Sequence, residues 1–183
     1  MPLAAKLEKI VGIPDDVNVK REGDEIEVSG SNGNIKRKFT DKRVEIDIKN
    51  DEIEISVKDP SKREKALLGT YTSHIQNMID GVQKDFEYKL KIVYSHFPVK
   101  VRSEGDEVVI ENFVGEKKPR RAPILGETQV EIKGDEVSVK GLHKEDVAQT
   151  AANIESATRI RNTDNRVFQD GIYIIEKAGR PIK

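Results

Sequence analysis

Proton transfer near neutral pH would fall to His74, His96 and His143. They are scattered. None forms the His-x-x-x-His or His-Glu-x-x-His pair that sets two ring nitrogens on one helical face toward a metal. His74 lies within a helical pattern and reads as a packing or capping residue. Carboxylates gather at Glu22-Gly23-Asp24-Glu25 and again at Glu104-Gly105-Asp106-Glu107. Close carboxylates can share acid and base roles or hold calcium. Here Gly-Asp stands between alternating apolar runs, the mark of a hairpin turn. The bidentate Glu that closes a calcium loop at its twelfth position is missing. So are a Gly-x-Ser-x-Gly elbow, a Gly-Lys-Ser/Thr phosphate loop and a Gly-x-Gly-x-x-Gly turn. With no Cys in the chain there is no disulfide, thiolate nucleophile or thiolate metal site. These absences predict a protein that is not an enzyme and takes no cofactor, metal or small-molecule substrate.

The cations are more informative. The net charge of −1, from 32 basic and 33 acidic residues, argues by itself against a nucleic-acid binder. The charges are segregated, however. From 104 to 116 there are five acids and no base, and from 117 to 121 four bases in five residues. From 156 to 183 six bases (Arg159, Arg161, Arg166, Lys177, Arg180, Lys183) face three acids. A phosphate backbone responds to local field, so the distribution outweighs the sum. In Lys117-Lys-Pro-Arg-Arg121 no acid is interspersed, and Pro119 and Pro123 stiffen the segment. A stiff cationic loop loses little entropy on engaging phosphates, and Arg offers them a planar fork.

The elements that must position these loops come in duplicate. Arg21-Glu-Gly-Asp-Glu-Ile-Glu-Val28 returns as Ser103-Glu-Gly-Asp-Glu-Val-Val-Ile110, 82 positions later. Ile48-Lys-Asn-Asp-Glu-Ile-Glu-Ile55 returns as Ile132-Lys-Gly-Asp-Glu-Val-Ser-Val139, 84 positions later. A weaker echo pairs 68–75 with 147–154. This period suits a small domain rather than a solenoid unit. Short alternating runs predict strands near 17–20, 25–28, 35–39, 44–48 and 53–57, with Asn32-Gly33 as a hairpin turn. Pro60 and Ser61 open a helix whose stripe is Ala66, Leu67, Tyr71, Ile75, Met78 and Ile79, and which Gly81 stops. Alternation over 86–94 predicts a strand that closes the first repeat. The second repeat predicts strands near 99–102, 107–112, 128–132 and 136–139, a helix over 144–157, and a last strand at 171–175 matching 86–94. The fold class is α+β: two duplicated domains, 1–95 and 96–183, each an antiparallel sheet with one helix on a face. The repeats differ at 115–123 and 158–170, where the second copy carries extended basic connections. Binding is expected there. No apolar run reaches the roughly 20 residues needed to span a bilayer, so no membrane partner is expected.

The segment Arg159-Ile-Arg-Asn-Thr-Asp-Asn-Arg166-Val-Phe168-Gln-Asp170-Gly171-Ile-Tyr173 resembles the C-terminal signature of the archaeal and eukaryotic large-subunit ribosomal protein L six family. Tyr94-Ser-His-Phe-Pro98, Gly105-Asp-Glu-Val-Val-Ile-Glu-Asn-Phe113, Gly115-Glu-Lys-Lys-Pro-Arg-Arg121 and Gly126-Glu-Thr-Gln-Val130 are similar to its archaeal members. The resemblance implies two related α+β domains in the cytoplasmic large ribosomal subunit. It implies a C-terminal domain that holds large-subunit ribosomal RNA near the sarcin–ricin region, and neighbouring ribosomal proteins at the stalk base, where translation factors dock. Carried to this chain, the RNA-contacting residues are Lys117, Lys118, Arg120 and Arg121, then Arg159, Arg161 and Arg166, then Lys177, Arg180 and Lys183. Val167 and Phe168 brace their loop. Arg120, Arg121 and Arg166 are expected to contact RNA without holding the fold. The competing reading is a protein-interaction module that pairs through open sheet edges, its cations serving solubility alone.

Overall fold

The computed structural model describes residues 6–49, 51–95, 97–160, 164 and 167–182. His96, Arg161, Arg166 and Lys183 lie outside the described residues.

The first unit opens with a strand that has little sequence signal, β1 (Lys6–Gly12). Five of its seven residues are exposed before buried Val11, so no clean alternation marks it. A three-stranded sheet follows, β2 (Asn18–Glu22), β3 (Glu25–Gly30) and β4 (Gly33–Lys38), in order β2-β3-β4. Glu22 pairs with Glu25 around the Gly23-Asp24 turn, and Gly23 takes φ 64° there, where an L side chain is strained. The β3–β4 turn sits at Ser31-Asn32, because Gly30 pairs with Gly33; this is one residue earlier than Asn-Gly suggests. β5 (Glu45–Ile48) and β6 (Glu52–Lys58) pair antiparallel, and β1 adds to the far side of β6 in the order β1-β6-β5.

The helix α1 (Lys62–Gln83) starts at Ser61 with a capping box. The Glu64 carboxylate accepts the Ser61 N–H at 2.9 Å and also meets its hydroxyl and Arg43. These bonds hold the Glu64 carboxyl down to about 2, the Ser61 hydroxyl contributing most. The buried stripe is Leu68, Tyr71, Ile75, Met78, Ile79 and Val82. Ala66 is exposed and Leu67 half-buried, so the face is rotated slightly from the expected one. Each fully buried aliphatic side chain contributes roughly 1.5–3 kcal/mol. Gly81 does not stop the helix; it is buried in the last turn. That turn lies on the β3–β4 hairpin. A Cβ at Gly30 would stand 2.8 Å from Val82 atoms, and Asn32 N–H donates to the Val82 carbonyl at 2.9 Å.

The second unit repeats this order from Phe86. β7 (Phe86–Val93) is its first strand, and the division between compact units falls at Asp85/Phe86. β8 (Lys100–Glu104), β9 (Glu107–Glu111) and β10 (Arg120–Pro123) form the sheet β10-β9-β8. β11 (Gln129–Lys133) and β12 (Glu136–Gly141) precede α2 (Lys144–Ala157). β13 (Gly171–Lys177) and the two-residue β14 (Arg180–Pro181) complete a five-stranded sheet, β11-β12-β7-β13-β14.

β7 therefore does not close the first repeat as the alternation suggested. It holds the centre of the second sheet, as β1 stands beside β6 in the first. Nor is β13 the counterpart of β7. It is an addition, paired antiparallel to β7 with Ile172 opposite Ile92 and a bulge between Ile174 and Glu176. Leu90, Ile92, Val137, Val139 and Ile172 make one core face with Val147, Ala151 and Ile154 of α2. α2 also guards the outer edge of β13. Thr158 Oγ1 accepts the Ile172 N–H at 2.9 Å, and Glu155 Oε1 accepts the Ile174 N–H at 3.0 Å. Two edge donors that could recruit a foreign strand are thereby satisfied.

A fragment of residues 86–183 should fold cooperatively, whereas 96–183, lacking the central strand, should not. Circular dichroism and thermal unfolding of the two fragments check this. Equal cooperativity would contradict the pairing of β7.

Candidate nucleic-acid interface

The basic run at 117–121 is only half a loop. A single 3₁₀ turn, Phe113–Gly115, leads into it, and Asn112 and Val114 adopt positive φ there. From Arg120 the chain is strand, with Arg120 opposite Ile110 and Arg121 opposite Val109. Alternation then separates two residues that look equivalent in sequence. Arg121 projects outward and pairs at 2.7 Å with Glu107, both ends about half exposed. Arg120 shares the inward face with buried Ala122.

The duplication sharpens this. Val28 and Ile110 occupy the same place in their repeats. Val28 pairs with Ile35, which is 2% exposed, while Ile110 pairs with Arg120. Arg120 thus stands where the first repeat has a core isoleucine. Its guanidinium lies 4.4 Å from the ring centroid of Phe113, itself buried. Nε and Nη2 donate to the two Glu116 carboxylate oxygens at 2.9 and 2.6 Å. Nη1 donates to the Ala157 carbonyl at 2.9 Å and the Arg159 carbonyl at 3.3 Å. The first of these is an end carbonyl of α2, which the helix itself leaves without a partner. Arg120 therefore fastens the 116–119 loop to the end of α2. The expectation that it plays no part in the fold does not hold.

The other described cations have different surroundings. Lys117, Lys118 and Arg159 are exposed and form no ion pair among the described residues. The Arg120 bonds bring the 117–118 segment and the Arg159 backbone to one place. Lys177 and Arg180 stand toward the other end of β13, about 20 Å along six residues of strand. They face each other directly across the β13–β14 turn, which Ala178 and Gly179 make at φ 47° and 77°. Two like charges directly opposite are destabilising until a counter-charge arrives. The sequence pattern does not announce the capping role of Arg120, although buried Ala122 two residues on is the signal that could have shown its face.

The two described histidines, His74 and His143, are apart and form no site together. His74 Nε2 lies 3.2 Å from Arg37 Nη2, and His143 caps the start of α2 through its backbone. Among the described residues no group of His, Asp and Glu is placed to hold a metal ion.

The fold and these surfaces define a duplicated α+β protein whose second repeat presents exposed cations that form no ion pair among the described residues. The sequence profile described as Ribosomal protein L6 matches residues 13–85 and again 97–171, one match to each repeat. The chain belongs to this family, whose members are structural components of the ribosome and not enzymes. It is 47% identical over 180 residues to the large ribosomal subunit protein uL6 of Methanococcus vannielii, covering 98% of this chain and 99% of that one. It is 47% identical over 175 residues to that of Archaeoglobus fulgidus, covering 93% and 89%. The Methanosarcina mazei protein of the same name is 45% identical over 176 residues, 96% and 100% of the two chains.

Arg120→Ala should destabilise the protein by about 1–3 kcal/mol, mainly through removal of the carbonyl bonds and the ring contact, since the Glu116 pair is partly screened by solvent. Arg121→Ala should cost no more than about 0.5 kcal/mol. The Glu116 carboxyl is held below its ordinary 4.5 chiefly by the hydrogen bond from Arg120. A carboxylate with a lowered folded pKa stabilises at neutral pH and loses that contribution as pH falls through the folded value. Stability of the parent should therefore fall between neutral and acid pH more than that of Arg120→Ala. Thermal melts of both across that range check the sign.

Proposed function

We propose that this protein is a structural constituent of the cytoplasmic large ribosomal subunit and binds large-subunit rRNA chiefly through its second repeat. The proposed contact lies near the sarcin–ricin region at the stalk base, with neighbouring ribosomal proteins there as further partners. It supports the RNA against which translation factors dock. Lys117, Lys118 and Arg159 neutralise phosphates where RNA helices approach closely, and Lys177 and Arg180 do so at a second point. Arg161, Arg166 and Lys183 join them on sequence grounds alone. Arg121 contributes once its Glu107 partner is displaced. Arg120 acts by positioning, because its donors are engaged within the protein. Shape and phosphate spacing set the choice of RNA, not base edges in a groove.

The observation that carries this reading is the gathering of exposed cations without ion pairs among the described residues, Lys117, Lys118 and Arg159, beside the two connections in which the repeats differ. Many surface charges elsewhere are paired. Lys6, Glu54 and Lys49 form a ladder on the first sheet, and Lys133–Glu131 and Lys89–Glu176 pair on the second. Exposed lysines without ion pairs among the described residues occur on the first repeat too, as at Lys42 and Lys62, so it is the place of the cations on the diverged connections that singles out the second. The edge-pairing alternative is weakened at β13, where the Ile172 and Ile174 donors are already taken.

Binding to large-subunit rRNA should weaken steeply with salt. Replacing Lys117 and Lys118 together by Ala should leave the unfolding temperature nearly unchanged. The slope of log affinity against log salt should shrink by about 0.7–0.9 for each phosphate that is no longer neutralised. Filter binding at several salt concentrations measures the slope, and a thermal melt measures the stability. An unchanged slope would remove these lysines from the interface.

A further inference from the structure

A cleft of about 420 Å³ opens at the C-terminal end of α2, beside the point where Arg120 fastens the 116–119 loop. Its walls include Ile160, Phe168 and Tyr173, and the carboxylates of Glu155 and Asp170 also line it. The Tyr173 ring lies over Gly171. A Cβ at that glycine would stand 2.9–3.0 Å from ring atoms, so only glycine leaves room for the ring. The phenol is tied to the Gln169 carbonyl at 3.0 Å, and the side chain stays 44% exposed. This is an aromatic platform whose orientation is fixed before anything binds, which lowers the entropy lost on stacking.

The carboxylates decide what can enter. Glu155 Oε1 is engaged by the Ile174 N–H, while Oε2 has no hydrogen bond among the described residues. Asp170 is 1% exposed and its Oδ1 accepts the Ser95 N–H at 3.2 Å. These carboxylates repel a phosphate, and Glu155 Oε2 can accept an N–H donor. Arg159 lines the same cleft, exposed, with Lys117 and Lys118 on the adjoining loop; together they favour phosphate outside and repel a basic protein side chain.

We propose that this cleft receives one unstacked, amino-bearing nucleobase of the bound RNA. The base stacks on Tyr173, its amino group donates to Glu155, and Arg159 holds the adjacent phosphate. The proposal rests on the reading that the second repeat binds rRNA, and it adds a contact to a base where that reading invokes only phosphates.

The test uses the full chain and deproteinised archaeal large-subunit rRNA. Tyr173→Ala should weaken binding about tenfold with an unchanged salt slope, because stacking is removed and every phosphate contact stays. Tyr173→Phe should bind nearly as the parent does. The chain has no Trp, so Tyr173→Trp gives a single fluorophore whose emission should be quenched by the RNA. Thermal melts verify that each variant is folded. If Tyr173→Ala unfolds, the Phe and Trp variants decide. Parental affinity in Tyr173→Ala together with an unquenched Trp would overturn the base cleft while leaving the phosphate reading intact. A Trp that responds to other large-subunit proteins but not to RNA would also overturn it, in favour of a protein side chain. Absence of salt-dependent RNA binding by the parent would sink both.

Discussion

The placement of the bare lysines at 117–118 depends on one guanidinium. Arg120 occupies a strand position whose counterpart in the first repeat is a buried isoleucine, and it replaces that apolar contact with five directed ones. It stacks on Phe113, grips Glu116 with two donors, and reaches the carbonyls of Ala157 and Arg159. An inward-facing cation without partners would be costly, but here every contact falls on a group that needs a donor or a positive charge. Arg120 ties the loop carrying Lys117 and Lys118 to the end of α2. The bare lysines stand at the surface because the arginine beside them is turned inward.

The duplication shows what was added to a common plan. Both repeats hold a three-stranded hairpin sheet, a strand pair joined by a first strand, and one helix. The second extends its sheet with β13 and β14 and lengthens the β9–β10 connection and the segment after α2. The extension matters to the proposed binding in two ways. It carries the Lys177–Arg180 pair, and it brings Gly171 and Tyr173 to the end of α2. Thr158 and Glu155 bind two of the edge donors of β13 ahead of its short pairing with β14, so that stretch does not invite another strand.

Much of this was legible in the sequence, and what was not shares one cause. The repeated Gly-Asp-Glu turns and the apolar stripe of α2 are local signals, and the helix runs over 144–157 as expected. The α+β class and the duplication follow from the same patterns. Three features depended on partners distant in the chain. β1 is mostly exposed and is a strand because β6 pairs with it. β7 alternates clearly, but alternation does not say which sheet it joins. Arg120 and Arg121 look alike until the register of β9 sets one inward and the other outward. The positions of the cations were thus readable, while which of them lacked an internal partner was not.

The central claim is that the cations left bare on the second repeat are the ones that meet rRNA. Lysine acetylation read by mass spectrometry, on the free protein and on its complex with large-subunit rRNA, tests it most directly. The account predicts that Lys117, Lys118 and Lys177 become protected in the complex, while exposed Lys42 and Lys62 of the first repeat react as before. Equal protection of lysines in both repeats, or undiminished reactivity at Lys117 and Lys118, would contradict it.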